Sequence, residues 1–163
     1  MSRPKDIGTR QETSIKDALN DFAGYKVCER VALHGNKDHG DLRIEVHDLV
    51  LTGESKHCKR YPSVGMIESF KVQTIKENDN AGQDGGLLFV NLPGRSIQRM
   101  EVWMRCETYI KLLGIACDAV NATVLAHALL DGAHIDASHD WLRLTLLDFM
   151  YLCWGSPAWG KGE

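Results

Sequence analysis

The residues best suited to chemistry in this chain are Glu12, Asp41, Glu54 and Lys56. Glu54-Ser55-Lys56 places an acid and a base two positions apart within Leu49 to Lys56, a segment that reads as a strand. A period of two turns both side chains to one face. Asp41 follows Gly40 and opens a second predicted strand, Asp41 to Val46, in which Leu42, Ile44 and Val46 alternate. Carboxylates on adjacent strands suit a hard cation such as Mg²⁺, which takes one or two carboxylates, backbone oxygen, water and substrate phosphate. A lysine beside them can orient or deprotonate an attacking water and steady charge on phosphate. The same residue types also describe an exposed cross-strand charge pair at Glu54 and Lys56, and a turn aspartate after Gly40.

Glu12 admits two readings. Thr9-Arg10-Gln11-Glu12 fits a capping box, with the threonine hydroxyl on the N3 amide and the glutamate reaching back. Alternatively, Glu12 heads the inward stripe of Ile15, Leu19 and Phe22, where a carboxylate needs a cation or a hydrogen-bond donor to meet it.

The elements that must position these groups follow from periodicity. A helix is expected from Thr9 to Gly24, then strands at Val27 to Leu33, Asp41 to Val46 and Leu49 to Lys56. A helix from Ser63 to about Asn78 turns Val64, Ile67, Phe70 and Thr74 or Ile75 inward, and a loop of Asn, Asp and Gly follows it. Leu87 to Leu92 reads as a buried strand stopped by Pro93-Gly94, Gln98 to Trp103 as a further strand, and Glu107 to Leu113 as a helix. Helices are expected at about 117–131 and 139–154. The latter is apolar around most of its circumference, so Trp141, Phe149 and Tyr151 are candidates for dimer contact or for burial within the protomer. The sum is an α/β fold: a central mixed sheet flanked by helices, with a C-terminal helical extension. Residues 1–115 form the core in this reading and 116–163 the extension.

With 163 residues, 44% hydrophobic and 25% charged, the chain has the composition of one globular domain. Its longest apolar run, Phe149 to Trp154, is too short to span a membrane, and the N-terminus has no apolar signal-like segment. A cytoplasmic location is expected. Cys28, Cys58, Cys106, Cys117 and Cys153 contain no C-x-x-C pair and read as free thiols; a zinc site would need His57-Cys58 with Cys28, His34 or His39, in no known finger spacing. The net charge is −3, and residues 116–163 carry two basic residues against six acidic. Cationic character is confined to local patches, Lys56 to Tyr61 and Arg95 with Arg99, which weighs against non-specific nucleic-acid binding.

Taken together, Ile7-Gly8-Thr9-Arg10-Gln11-Glu12, Glu29-Arg30-Val31-Ala32-Leu33-His34-Gly35 through Gly40-Asp41, and Glu54-Ser55-Lys56 resemble the PD-(D/E)xK nuclease superfamily. More narrowly, they resemble the Holliday-junction-resolvase-like endonucleases of archaea and actinobacterial phages, over about residues 6–92. The resemblance implies a restriction-endonuclease-like core and a Mg²⁺-dependent, structure-selective DNA endonuclease acting as a homodimer, with Mn²⁺ able to substitute. If the protein is phage-encoded, it works in the bacterial host cytoplasm. Asp41, Glu54 and the Ser55 carbonyl would bind the metal, Glu12 would complete that site or hold a water, and Lys56 would position the nucleophile. Arg30, His34, Lys59 and Arg60 would touch the phosphates of branched or double-stranded DNA. Alternatives are a nuclease of the same fold acting on flaps, mismatches or specific duplex sites, and a non-catalytic binding module. Three departures stand out. The acidic tail and net negative charge are unlike the basic archaeal resolvases, which weighs against the four-way-junction substrate. Gly40 replaces the proline of the motif, and Gly53 sits where an apolar residue is usual, so a bulge is expected there.

Overall fold

A computed structural model describes residues 4–32, 37–119, 134–136 and 140–155. Helix α1 (Pro4–Ala23) precedes strands β1 (Cys28–Arg30), β2 (Leu42–Val46) and β3 (Leu49–His57). Helix α2 (Val64–Ala81) then leads to β4 (Gly85–Asn91) and β5 (Glu101–Arg105), followed by α3 (Cys106–Ala119), β6 (His134–Asp136), β7 (Trp141–Thr145) and α4 (Leu146–Trp154). The strands form one mixed sheet in the order β1-β2-β3-β4-β5-β7-β6. Neighbours are antiparallel except β3 and β4, whose parallel pairing runs from Leu51↔Gly85 to His57↔Asn91. Two parallel neighbours need a crossover, and α2 supplies it.

Both faces of the sheet are covered, as the fold-class expectation required. On one face, Leu42, Ile44, Leu51, Leu87, Phe89, Val102 and Leu144 pack with Ile15, Leu19 and Phe22 of α1, Leu112 of α3 and Phe149 of α4. On the other, Leu88, Val90, Trp103 and Trp141 meet Ile67, Phe70 and Ile75 of α2. Alternation along each strand sorts residues between these two layers, so the face on which a side chain starts decides which helix it meets. Cys28 lies in the first layer and Cys58 in the second, so the sheet separates them and they cannot share a zinc ion.

Several expectations are corrected. Helix α1 starts at Pro4, which leaves Thr9 in its interior. The capping box therefore does not form, and the Thr9 carbonyl instead accepts from Thr13 Oγ1 at 2.8 Å. Val64 begins α2 exposed rather than inward. Helix α2 also runs past Asn78 to Ala81, stopping at left-handed Gly82, whose N–H reaches the Asn78 and Asp79 carbonyls.

Within the span expected as one helix over 139–154, Trp141–Thr145 is a strand and Leu146–Trp154 a helix. In Trp141–Thr145 the side chains alternate, with Leu142 and Leu144 on the α1 side and Trp141 on the α2 side. A short, nearly continuous apolar run fits either period, and pairing with β5 settles it as a strand. Thr145 then caps α4, accepting from the Asp148 N–H at 3.1 Å. Phe149 is fully buried in the core and Tyr151 packs edge-on against Phe22, so these side chains serve the protomer and not a dimer contact. The helix expected over 117–131 lies outside the described residues, apart from its first three positions, which continue α3.

Candidate active site

Strand β3 carries the site. Gly53 faces the α1 layer with no room for a side chain: a Cβ there would stand 3.0 Å from Leu42 Cβ and 3.0 Å from Phe89 Cε2. The register is continuous through it, Leu42↔Gly53 on one side and Gly53↔Leu87 on the other, so the expected bulge is absent and the glycine serves close packing. Glu54 and Lys56 therefore point together to the α2 layer. Lys56 Nζ pairs with Glu54 Oε1 and lies 5.4 Å from the Phe70 ring centroid. Ser55 points the other way and accepts from Gln11 Nε2 of α1 at 2.7 Å.

Asp41 is held against β3 by two hydrogen bonds. Its N–H donates to the Gly53 carbonyl at 2.9 Å, and its Oδ2 accepts from the Ser55 N–H at 2.8 Å. The turn into it needs Gly40, which has φ +80° and lies so close to β3 that a Cβ would meet Thr52 Cγ2 at 2.6 Å. The glycine in place of the motif's proline thus has a steric cause in this chain.

Burial crowds these acids. The Asp41 carboxyl is pushed up to about 7, first by desolvation and then by the Glu54 charge, with the Ser55 N–H opposing. Glu54 is pushed up to about 8 by burial and by the neighbouring Glu77 carboxyl, with Lys56 opposing. Burial raises Glu77 as well. Lys56 is the cation that offsets this crowding, and a divalent cation would offset it further. The chemistry of the donors suits Mg²⁺: two carboxylates on adjacent strands and the Ser55 backbone carbonyl are all hard oxygens. Among the described residues, no three His, Cys, Asp or Glu side chains converge closely enough to enclose an ion by themselves.

Asp41, Glu54, Ser55 and Lys56 are brought together as expected. Glu12 is near enough to act on the Asp41 charge, but its Oε2 accepts from Arg30 Nε at 2.8 Å. Arg30 is therefore an ion-pair partner of Glu12. Lys59 and Arg60 are exposed just beyond the end of β3, and His34 lies outside the described residues. Three residues of the site went unread in the sequence: Gln11, Gln73 and Glu77. Gln73 Nε2 bridges two carboxylates, donating to Glu54 Oε1 at 3.0 Å and Glu77 Oε1 at 2.6 Å. The signal for Glu77 was present, because the inward stripe through Ile67, Phe70 and Thr74 reaches it at the next step of three.

Among solved structures, the chain is similar to Hjc, a Holliday junction resolvase from the archaeal hyperthermophile Archaeoglobus fulgidus. The two are 17% identical, with 88% of this chain and 91% of that chain covered and a TM-score of 0.42. No protein-family model matches the sequence, and no curated protein matches it. No helix among the described residues is long and apolar enough to cross a membrane.

Proposed function

We propose that this protein is a Mg²⁺-dependent endonuclease that hydrolyses phosphodiester bonds in branched DNA, with the four-way junction as its substrate. The observation that carries the reading is the meeting of Asp41, Glu54 and Lys56 where β2 and β3 pair, with both carboxyls raised by burial. An acid pair and a lysine recurring in the order of the PD-(D/E)xK motif is the second support. Residues 1–115 carry the catalytic groups in this reading, and β6, β7 and α4 add to the sheet and core.

Asp41 and Glu54 would hold Mg²⁺ with the Ser55 carbonyl, and Gln11 would steady Ser55 through its hydroxyl. When bound, the ion supplies charge neutralisation at the phosphodiester and an acidified water. Lys56, held by Glu54 and the Phe70 ring, would steady the reacting phosphate and orient the attacking water as an ammonium, or take that water's proton as the neutral amine. Glu12 stands at the edge of this group, where its Arg30 partner is free to exchange it for a phosphate. Symmetric cutting of a junction calls for a homodimer with two sites related by one axis.

Cleavage of labelled four-way junctions, flaps and plain duplex in Mg²⁺ tests the proposal, with Asp41→Asn and Lys56→Ala as controls. Paired symmetric cuts on junctions, absent in both variants, are expected. Cuts on flaps or duplex alone would retain the nuclease and discard the junction. Absence of Mg²⁺-dependent cutting on every substrate would leave a binding module.

A further inference from the structure

We infer that Glu77 of α2 is a positioning carboxylate of the cation site, holding the ion's water ligands through its unpartnered oxygen. The inference rests on the metal-dependent reading above and extends it to a helix outside the motif. Glu77 is 1% exposed, and its Oε2 is buried without a hydrogen-bond partner. A native chain rarely leaves such an oxygen unsatisfied. Its surroundings point to the missing partner. Oε2 lies 3.7 Å from where a Cβ of Gly40 would stand, next to Asp41, and the carboxyl is within hydrogen-bonding reach of Glu54.

Gln73 explains why this oxygen is the free one. Its amide nitrogen spends both hydrogens on Glu77 Oε1 and Glu54 Oε1, so it holds the two carboxyls side by side. Glu54 is thereby oriented from α2 as well as by Lys56, and Glu77 presents its second oxygen toward the Asp41 side. Because no three carboxylates among the described residues converge on one point, Asp41 and Glu54 are left as the direct ligands and the role that fits Glu77 is acceptance of hydrogen bonds from coordinated water. Mg²⁺ keeps several such waters. Groups that orient a metal's ligands in this way typically change its affinity 10–100-fold when removed.

The test is Mn²⁺ binding by the full chain without DNA, followed by electron paramagnetic resonance, for wild type, Glu77→Gln and Asp41→Asn. Glu77→Gln keeps the size of the side chain and can still meet Gln73. Affinity for Mn²⁺ is expected to fall about 10-fold or more in Glu77→Gln, while its unfolding midpoint in EDTA is unchanged or higher. A residue that served only to pack α2 would lower the midpoint and leave the affinity alone. Wild-type affinity in folded Glu77→Gln overturns the inference and leaves the Asp41–Glu54 cation site standing. Equal binding by wild type and Asp41→Asn, or no binding by either, overturns the cation site itself and this inference with it. If Glu77→Gln does not fold, Gln73→Leu carries the same test, since it frees both carboxyls: weakened Mn²⁺ binding supports the role and unchanged binding overturns it.

Discussion

Replacing Asp41 by asparagine should make the metal-free protein more stable at alkaline pH while abolishing its response to Mg²⁺. The Asp41 carboxyl is raised from 3.8 to about 7 in the fold. A carboxyl raised by folding stabilises the folded chain fully below its unfolded value, and that contribution is lost as pH rises through the folded value. Above about pH 7 the wild type must keep a charge where burial and Glu54 oppose it. At about 1.36 kcal/mol per pH unit, the difference between the two values corresponds to roughly 4 kcal/mol. Residual solvent at this partly exposed group reduces that to about 2–4 kcal/mol. Asparagine keeps the shape and can still accept from the Ser55 N–H, but it cannot ionise.

Urea unfolding in EDTA at pH 4 and pH 8.5 measures the effect. Asp41→Asn and wild type should agree within about 1 kcal/mol at pH 4, where the wild-type carboxyl is largely neutral in the fold. At pH 8.5 the variant should be more stable by about 2–4 kcal/mol. Saturating Mg²⁺ should then stabilise wild type, by about 2.7 kcal/mol at a hundred times its dissociation constant, and leave the variant unmoved. A pH-independent difference, or a variant weaker than wild type at pH 8.5, would refute the reasoning.

Other outcomes follow from the same geometry. Gly40→Ala should cost about 2–4 kcal/mol by thermal or urea unfolding, because it combines a left-handed backbone with a collision at Thr52 Cγ2. Adding Thr52→Ser, which removes that methyl group, should recover the collision and not the backbone strain. Lys56→Met keeps the stem on the Phe70 ring, so the fold should survive while Mg²⁺-dependent cleavage falls about 100-fold or more. Glu12→Gln should change stability by less than about 1 kcal/mol, since its partner Arg30 is exposed. If Glu12 belongs to the metal site, the Mg²⁺ concentration for half-maximal cleavage should nonetheless rise.

The grouping of Glu54, Lys56 and Asp41 was legible because strand alternation is a local rule. Once Leu49 to Lys56 is a strand, Glu54 and Lys56 share a face, and Asp41 at the head of the adjoining strand can join them. The first helix was legible as an apolar stripe of Ile15, Leu19 and Phe22, but not its start, because Thr9 resembles a cap only if nothing helical precedes it. Residues 141–145 were misread because the alternation of Leu142 and Leu144 with Arg143 and Thr145 is only five residues long and runs directly into the apolar helix from Leu146.

What the sequence determined by itself, then, is the order of helices and strands through α3 and the residue types that meet at β3, since both depend on spacing along the chain. Tertiary structure alone decided that Arg30 pairs with Glu12, that Gly53 is a packing contact and not a bulge, and that Trp141–Thr145 joins the sheet. It also brought Gln73 and Glu77 to Glu54, through a crossover helix whose stripe is readable but whose target is not. Each of these depends on which surfaces are pressed together, and residues distant in the chain impose that choice through close packing and burial.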